Sequence, residues 1–288
     1  VQLPGPDYPA PAKLNLFLHV VGRRADGYHE LQSVFVLIDL ADRLRFRVRP
    51  DGRVVRLNDV RGVAAEEDLS VRAASALKAA AGTHLGADIE LEKHIPLGSG
   101  LGGGSSDAAT ALMALNRLWK CGLAEAQLRR IGEGLGADVP FFVGGRNAWV
   151  EGTGERLTPI EIPQRWYVVL RPPVEVPTRA IFAALELTRN TEALKMEDFS
   201  AHSPVDVFFG RDARVGNDLE PVVVSRYPVV GEHLAWLARF GKARMTGSGS
   251  CVFAAFQSRA EAQAVFDALP GRMQGFVAQG LRKHPLHE

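Results

Sequence analysis

The sequence predicts an α+β fold in two domains, and three observations carry that prediction. Apolar and polar residues alternate early in the chain, which is the period of a strand. Longer stretches then recur at helical spacing without the repeated strand–helix–strand rhythm of a parallel α/β sheet. A proline-containing break, "LTPIEIPQRW", interrupts the pattern near the middle, so the boundary is placed to give residues 1–155 and 156–288. A chain of 288 residues is long enough for each half to bury its own core.

The first strand is "KLNLFLHVV", which sets Leu14, Leu16, Leu18 and Val20 against Lys13, Asn15, Phe17 and His19. Lys13 and Asn15 therefore point the same way. "LQSVFVLIDL" and "RLRFRVR" read as two further strands. In the second of these Leu44, Phe46 and Val48 face inward, and Arg43, Arg45, Arg47 and Arg49 form a solvated edge that resists aggregation. Helical spacing covers 68–81, 105–119 and 124–134. In the middle one Ala108, Leu112, Leu115 and Trp119 share a buried face, with Ser105 or Ser106 as N-cap. Beyond the break come the strand "WYVVLRPP", the helices "TRAIFAALEL", "GEHLAWLARF" and "RAEAQAVFDAL", and the strands "GKARMTG" and "SCVFAAF".

Composition narrows the class of function. With 46% hydrophobic residues and a formal charge of +1, the chain lacks the Lys and Arg excess of a nucleic-acid backbone binder. Cys121 and Cys251 offer neither a disulfide framework nor a zinc spacing, and Cys251 reads as a small buried hydrophobe. No apolar run reaches the roughly 18 to 20 residues of a membrane span, and the first residues show no basic-then-apolar leader. A reducing, cytoplasmic setting is expected, with no membrane partner.

The richest chemistry lies in "IPLGSGLGGGSSDAATAL". Glycine lets backbone N–H groups approach a ligand closely, and the helix that follows adds its unpaired N–H groups and dipole. The pair makes an anion site, and phosphate is its usual guest. Gly98, Gly100 and Gly103 satisfy GxGxxG, but the acidic residue about 20 positions on, Glu125, lies inside a helix, so a dinucleotide fold is excluded. No GxxxxGK[ST] sequence occurs. An unliganded flexible loop is the plain alternative.

"PLGSGLGGGSSDAA" resembles the phosphate loop of the GHMP kinases, and "PAKLNLFLHV" and "MTGSGSCVFAAF" match the same family in the same order. The resemblance implies a two-domain kinase, its N-terminal part like the second domain of a small-subunit ribosomal protein and its C-terminal part ferredoxin-like, with the active site in the cleft between them. It implies ATP as co-substrate, carried as its Mg²⁺ complex, with Pro96, Leu97, Gly98, Ser99, Gly100, Leu101, Gly102, Gly103, Gly104, Ser105 and Ser106 around the phosphates and Lys93 near the adenine. Asp107 is expected to point away from the phosphates. Asp68 and Ser70 stand where relatives often carry "NL[IV]", so the adenine side is the weakest part of the match. No metal ligand is assigned.

Asp138 in "GADVPFF" matches the catalytic base and Lys13 the lysine beside it, where a cation favours the charged carboxylate. "GRRADGYHELQSVF", "LGADVPFFVGG" and "NDLEPVV" are similar to the branch whose acceptor is a cytidine-diphosphate-linked methylerythritol. By that resemblance Tyr28, His29 and Phe182 hold the cytosine, with Asp26 and Gly27 turning the chain to present the first two. Asn15, Thr178, Gly247 and Ser248 are the remaining substrate candidates. Read singly, each of these is a core aromatic, a surface histidine or a turn residue. Another GHMP kinase, a ligand-sensing relative without activity and an RNA-binding protein are the rivals; "GYHE" and "NDLEP", the presence of both Asp138 and Lys13, and the charge balance weigh against them in turn. The expected state is a monomer or weak homodimer acting on small molecules.

Overall fold

Strand propensity organises the first half into one sheet. The computed structural model describes residues 3–60, 62–196, 208–209 and 215–287. Strands β1 (Tyr8–Arg23), β2 (His29–Arg49), β3 (Val54–Arg56), β4 (Gly86–Glu92), β5 (Ala148–Gly152) and β6 (Arg156–Pro159) run in the order β3-β4-β2-β5-β6, with β1 also paired to β2. The two strands read from "LQSVFVLIDL" and "RLRFRVR" are one. The break in their alternation is a bulge: Ala12 pairs with Ile38 and Pro11 with Ala41, so Asp39 and Leu40 have no partner on β1.

The arginine stripe is not a free edge, because β4 lies beside it with acidic residues in register. Arg43 stands opposite Glu92, Arg45 opposite Glu90 and Arg47 opposite Asp88. Arg45 is buried, with Asp7 at 2.5 Å and Glu90 at 3.5 Å, and Arg49 reaches Asp88 at 2.7 Å. Arg43 and Arg47 keep the expected solvent exposure, and only Arg45 is taken out of water, so the stripe is solvated and also paired to opposite charges across the strands.

Helices α1 (Leu69–Ala81), α2 (Gly103–Leu118), α3 (Glu125–Glu133) and α4 (Val139–Gly144) cover this sheet. The Asp68 carboxylate caps α1 by accepting from the Ser70 N–H at 2.8 Å. Helix α2 buries Ala108, Leu112 and Leu115 as its spacing predicts, but it begins at Gly103, and Gly102 is its N-cap with φ of 74°. Neither serine caps it; the Ser106 hydroxyl donates instead to the Pro11 carbonyl at 2.7 Å, pinning the helix to β1.

The second sheet is β10-β7-β9-β8, from β7 (Trp166–Arg171), β8 (Arg244–Met245), β9 (Val252–Phe256) and β10 (Gln274–Gln279). It carries α5 (Thr178–Phe182), α6 (Glu220–Arg226), α7 (Pro228–Leu237) and α8 (Arg259–Asp267). Because β6 pairs with β5, the first sheet runs on to Pro159, a few residues past the boundary read from the sequence. Helix α5 is shorter than "TRAIFAALEL" suggests: the Arg189 guanidinium takes the carbonyls of Phe182, Ala184 and Leu187, and Leu185 stands exposed.

The halves share a core along β1. Leu14, Leu16 and Phe17 pack in one cluster with Tyr167, Val169 and Phe253 of the second sheet. Both faces of β1 are therefore buried, and its polar side chains are enclosed: Lys13 is 4% exposed and Asn15 1%. Groups so enclosed must find partners.

Candidate active site

Those partners build the site. The Lys13 amine donates to Asn15 Oδ1 at 2.6 Å, lies 4.4 Å from the centre of the Phe35 ring and stands 3.5 Å from Asp138 Oδ2. Alternation on β1 brings Lys13 and Asn15 together as expected. Asn15 Nδ2 in turn donates to the Ser33 hydroxyl at 3.0 Å, and Ser33 donates to the Phe17 carbonyl at 2.5 Å. The lysine is thus fixed in length and direction. Asp138 precedes α4 and is 28% exposed, the more open member of the pair. Ser33 and Phe35 escaped the sequence reading because only the β1–β2 register, Asn15 opposite Phe35, places them here.

A cavity of roughly 440 Å³ opens at this pair. Its wall includes Lys13, Asn15, Ser33 and Asp138 from the first half and Thr178, Phe182, Gly247 and Ser248 from the second. Pro96 to Gly100 and Gly102 to Ser105 line it as well. Leu101 is instead a core residue and Ser106 is buried, so these two of the eleven loop candidates do not face the cavity. The amide N–H groups of Gly100 and of residues 102–105, which line the cavity, donate no hydrogen bond among the described residues, which leaves them available to an anion.

Backbone contacts hold this loop against β1 and against the second half. Leu101 O accepts from Lys13 N at 3.0 Å and Ser99 O from Cys251 N at 3.2 Å. A Cβ on Gly100 would stand 2.2 Å from the Thr246 carbonyl oxygen, so that glycine is required by the approach of the two glycine loops. Asn217, in "NDLEPVV", braces the second loop by donating to the Met245 and Gly247 carbonyls, both at 2.8 Å. The Thr178 and Ser248 hydroxyls are 2.6 Å apart across the two segments.

Lys93 does not line the cavity. Its amine bonds Asp42 and, at 2.6 Å, Asp107, while Asp42 Oδ1 also accepts from the His94 and Ile95 N–H groups at 2.6 and 2.8 Å. Burial would lower the Lys93 pKa, but Asp107 and Asp42 outweigh it and hold it above the ordinary lysine range. Burial raises Asp107 well above a normal carboxylate, against the pull of Lys93. The group ties the start of the glycine loop to α2, and Asp107 turns away from the cavity. Asp68 and Ser70 are likewise occupied: Asp68 pairs with Arg56 at 2.8 Å and caps α1, while Leu69 alone of the three faces the cavity.

Tyr28 and His29 follow the β1–β2 turn, where Asp26 Oδ1 accepts from Tyr28 N at 3.1 Å and Gly27 has φ of 90°. Tyr28 is 67% exposed. The His29 ring lies 5.1 Å from that of Phe182, so the turn meets the cavity wall through this contact. Arg189 Nε donates to His29 Nε2 at 3.1 Å, a partner no local pattern announced. Burial, then the charges of Arg189 and Arg23, lower the His29 pKa.

A lysine-braced carboxylate beside a loop of free amides, in a cleft between two α+β halves, is the equipment of a small-molecule kinase. The GHMP kinases N terminal domain matches residues 68–146 and the GHMP kinases C terminal domain residues 206–274. The chain is 59% identical to the 4-diphosphocytidyl-2-C-methyl-D-erythritol kinase of Thiobacillus denitrificans, over 98% of this chain and 97% of that one. It is 54% identical to the same kinase of Halorhodospira halophila, over 97% and 94%. A crystal structure of 4-(cytidine 5'-diphospho)-2C-methyl-D-erythritol kinase superposes with a TM-score of 0.81 at 35% identity, over 96% of this chain and 99% of that one. Homoserine kinase from Cytophaga hutchinsonii shares the fold, with a TM-score of 0.67 at 18% identity over 99% and 97%. The chain belongs to the GHMP kinases, in the family of the 4-diphosphocytidyl-2-C-methyl-D-erythritol kinases.

Proposed function

We infer that this protein transfers the γ-phosphoryl group of ATP to the 2-hydroxyl of 4-diphosphocytidyl-2-C-methyl-D-erythritol, a step of the non-mevalonate isoprenoid route. The observation that carries this reading is the Lys13–Asp138 pair at 3.5 Å beside the glycine loop, in a chain matched end to end by kinases of that name. Phosphoryl transfer asks chiefly for positioning, charge neutralisation and a proton acceptor. Asp138 accepts the hydroxyl proton as the oxygen attacks. Lys13, held by Asn15 and the Phe35 ring, keeps that carboxylate and the hydroxyl in line. Amides of Gly100 and residues 102–105, at the N-terminus of α2, take the ATP phosphates. The cytidyl end lies toward Phe182, His29 and Tyr28, with Thr178, Gly247 and Ser248 along the way.

Mg²⁺ fits the donor set here: the Asp138 carboxylate and the hydroxyls of Ser99 and Ser105 line the cavity at the phosphate loop, and this ion keeps waters and takes phosphate oxygens for the rest. Bound with ATP, it neutralises phosphate charge. No described helix is long and apolar enough to cross a membrane. The reading goes with a cytoplasmic monomer or weak homodimer that has no nucleic-acid partner, and a division into an ATP-binding half ending near Pro159 and a second half from Trp166. An ATP-consumption assay with the cytidyl acceptor, mevalonate and homoserine side by side tests it. Turnover should appear with the cytidyl acceptor, and a preference for either of the others would refute the assignment.

A further inference from the structure

We propose that Arg189 is a positioning residue that fixes His29 as its Nδ1–H tautomer and so presents one N–H donor to the acceptor edge of a base held against Phe182. The inference rests on the cytidyl reading above and adds the device by which the base is read. A guanidinium has donors and no acceptor, so the nitrogen it meets must carry a lone pair. Arg189 Nε lies 3.1 Å from His29 Nε2; the imidazole is therefore neutral there, with its proton on Nδ1. Arg189 is not free to follow the ring, since Nη1 donates to Leu187 O at 3.0 Å and Nη2 to Phe182 O at 3.2 Å and to Ala184 O. The arginine is anchored on the backbone just after α5, and the histidine is what it orients.

The geometry around the ring agrees. Nδ1 makes no hydrogen bond among the described residues, and the ring is tilted 36° to Phe182 at 5.1 Å. The charged groups about it are Arg189 from the segment after α5, Arg23 at the end of β1, and Asp26 and Glu30 of its own turn, both within reach of Arg24. Burial and the two arginines lower its pKa, which favours the neutral ring that the Arg189 contact requires.

The consequence is specificity. Cytosine and uracil both offer O2 as an acceptor and differ at N3, which is an acceptor in cytosine and an N–H donor in uracil. An unconstrained imidazole can move its proton and serve either base. With Nε2 occupied by a guanidinium, Nδ1 can only donate; set against N3 it bonds cytosine, whereas a uridyl compound meets it there donor against donor.

The test begins with the wild-type protein, in which long-range proton–nitrogen NMR identifies the tautomer without any substrate. The Nδ1–H form is expected, titrating below the ordinary value of 6.5. In Arg189→Met the midpoint should rise toward that value. KM for the cytidyl acceptor should increase about 5- to 10-fold, as for one lost hydrogen bond, with kcat and the KM for ATP little changed. The preference for cytidyl over uridyl analogues should narrow, and Arg189→Lys, which keeps a donor but not the fork, should restore part of it. An Nε2–H tautomer in the wild type overturns the proposal without any variant having to fold. So does a folded Arg189→Met with unaltered preference. Either result with normal cytidyl turnover sinks this proposal alone, while absence of cytidyl turnover in the wild type sinks the functional reading and the base-reading role with it.

Discussion

Lys13 shows how much a single buried charge can organise. It has one carboxylate, one amide oxygen and one aromatic face within reach, and each comes from a different segment of chain. Replacing Asp138 by Asn keeps the shape and removes the proton acceptor, so the variant should fold, bind both substrates and lose about 10²- to 10⁴-fold in kcat. Turnover near that of the parent in a folded Asp138→Asn would exclude the base role. Tyr28 gives a second test at this scale, because a ring 67% exposed contributes little to the fold. Tyr28→Ala should leave the melting temperature unchanged and weaken cytidyl binding by about 1–3 kcal/mol, the range for stacking on a base. Tyr28→Phe should be mild. Calorimetric titration with each ligand separates the two effects, and unchanged affinity in Tyr28→Ala would remove the stack. Period-two alternation made the Lys13–Asn15 pair legible in the sequence. The contacts of Ser33, Phe35 and Arg189 were not legible, since each depends on a partner far along the chain and none leaves a local pattern.

At the scale of elements the glycine loop divides into glycines that serve the fold and glycines that can serve a ligand. A Cβ on Gly102 would lie 3.0 Å from the Phe142 ring and 3.2 Å from Lys13 Cγ, at a φ of +74°. Valine there meets a left-handed backbone that costs about 1–2 kcal/mol before any clash, so Gly102→Val should lower the melting temperature, and any loss of ATP affinity would follow from that. Gly104 differs: it has ordinary helical geometry, and its Cβ would meet only Leu69 Cδ1 at 3.4 Å. Gly104→Ala should therefore melt at or slightly above the parent temperature while raising KM for ATP more than KM for the acceptor. Equal changes in both KM values would show that backbone approach to phosphate is not what residue 104 provides. The existence and direction of α2 could be read from its spacing, but its start could not. Two serines suggested a side-chain cap, whereas the tight entry from the loop demands a left-handed residue, which Gly102 supplies. Lys93 was similarly ambiguous, since a lysine at a strand end reads as solvated or ligand-binding until Asp42 and Asp107 are brought to it.

Over the whole molecule, the chain returns at its end to the half where it began. After β10 the Leu281 N–H donates to Leu37 O at 2.8 Å, His284 N to Gly145 O at 2.8 Å, and Asn147 Nδ2 to Leu281 O at 3.0 Å. Nothing in "GLRKHPLHE" marks this return, because pairings across more than a hundred residues have no signature in a short polar segment. The early proline break showed that two halves exist but not that the last residues cross back. His284 makes the return sensitive to acid. It is fully buried, its Nδ1 accepts from Leu286 N at 3.1 Å and its Nε2 lies 3.3 Å from the Thr110 hydroxyl of α2. Burial, together with the nearby His287 and Arg117, depresses its pKa to about 3. An unfolded chain takes up that proton near pH 6.5 while the folded one refuses it, so the unfolded state binds more protons and stability falls as pH drops from about 6.5 toward 3. At pH 5 the loss from this one group is about 2 kcal/mol, at about 1.4 kcal/mol per pH unit. His284→Asn cannot bind the proton: it should be less stable than the parent at pH 7.5 yet lose less between pH 7.5 and pH 5. Urea unfolding of both proteins at the two pH values gives the double difference, in which every other titrating group cancels. A parent and variant that weaken by the same amount would mean that His284 is accessible to protons in the folded state and that the C-terminal return is looser than its hydrogen bonds imply.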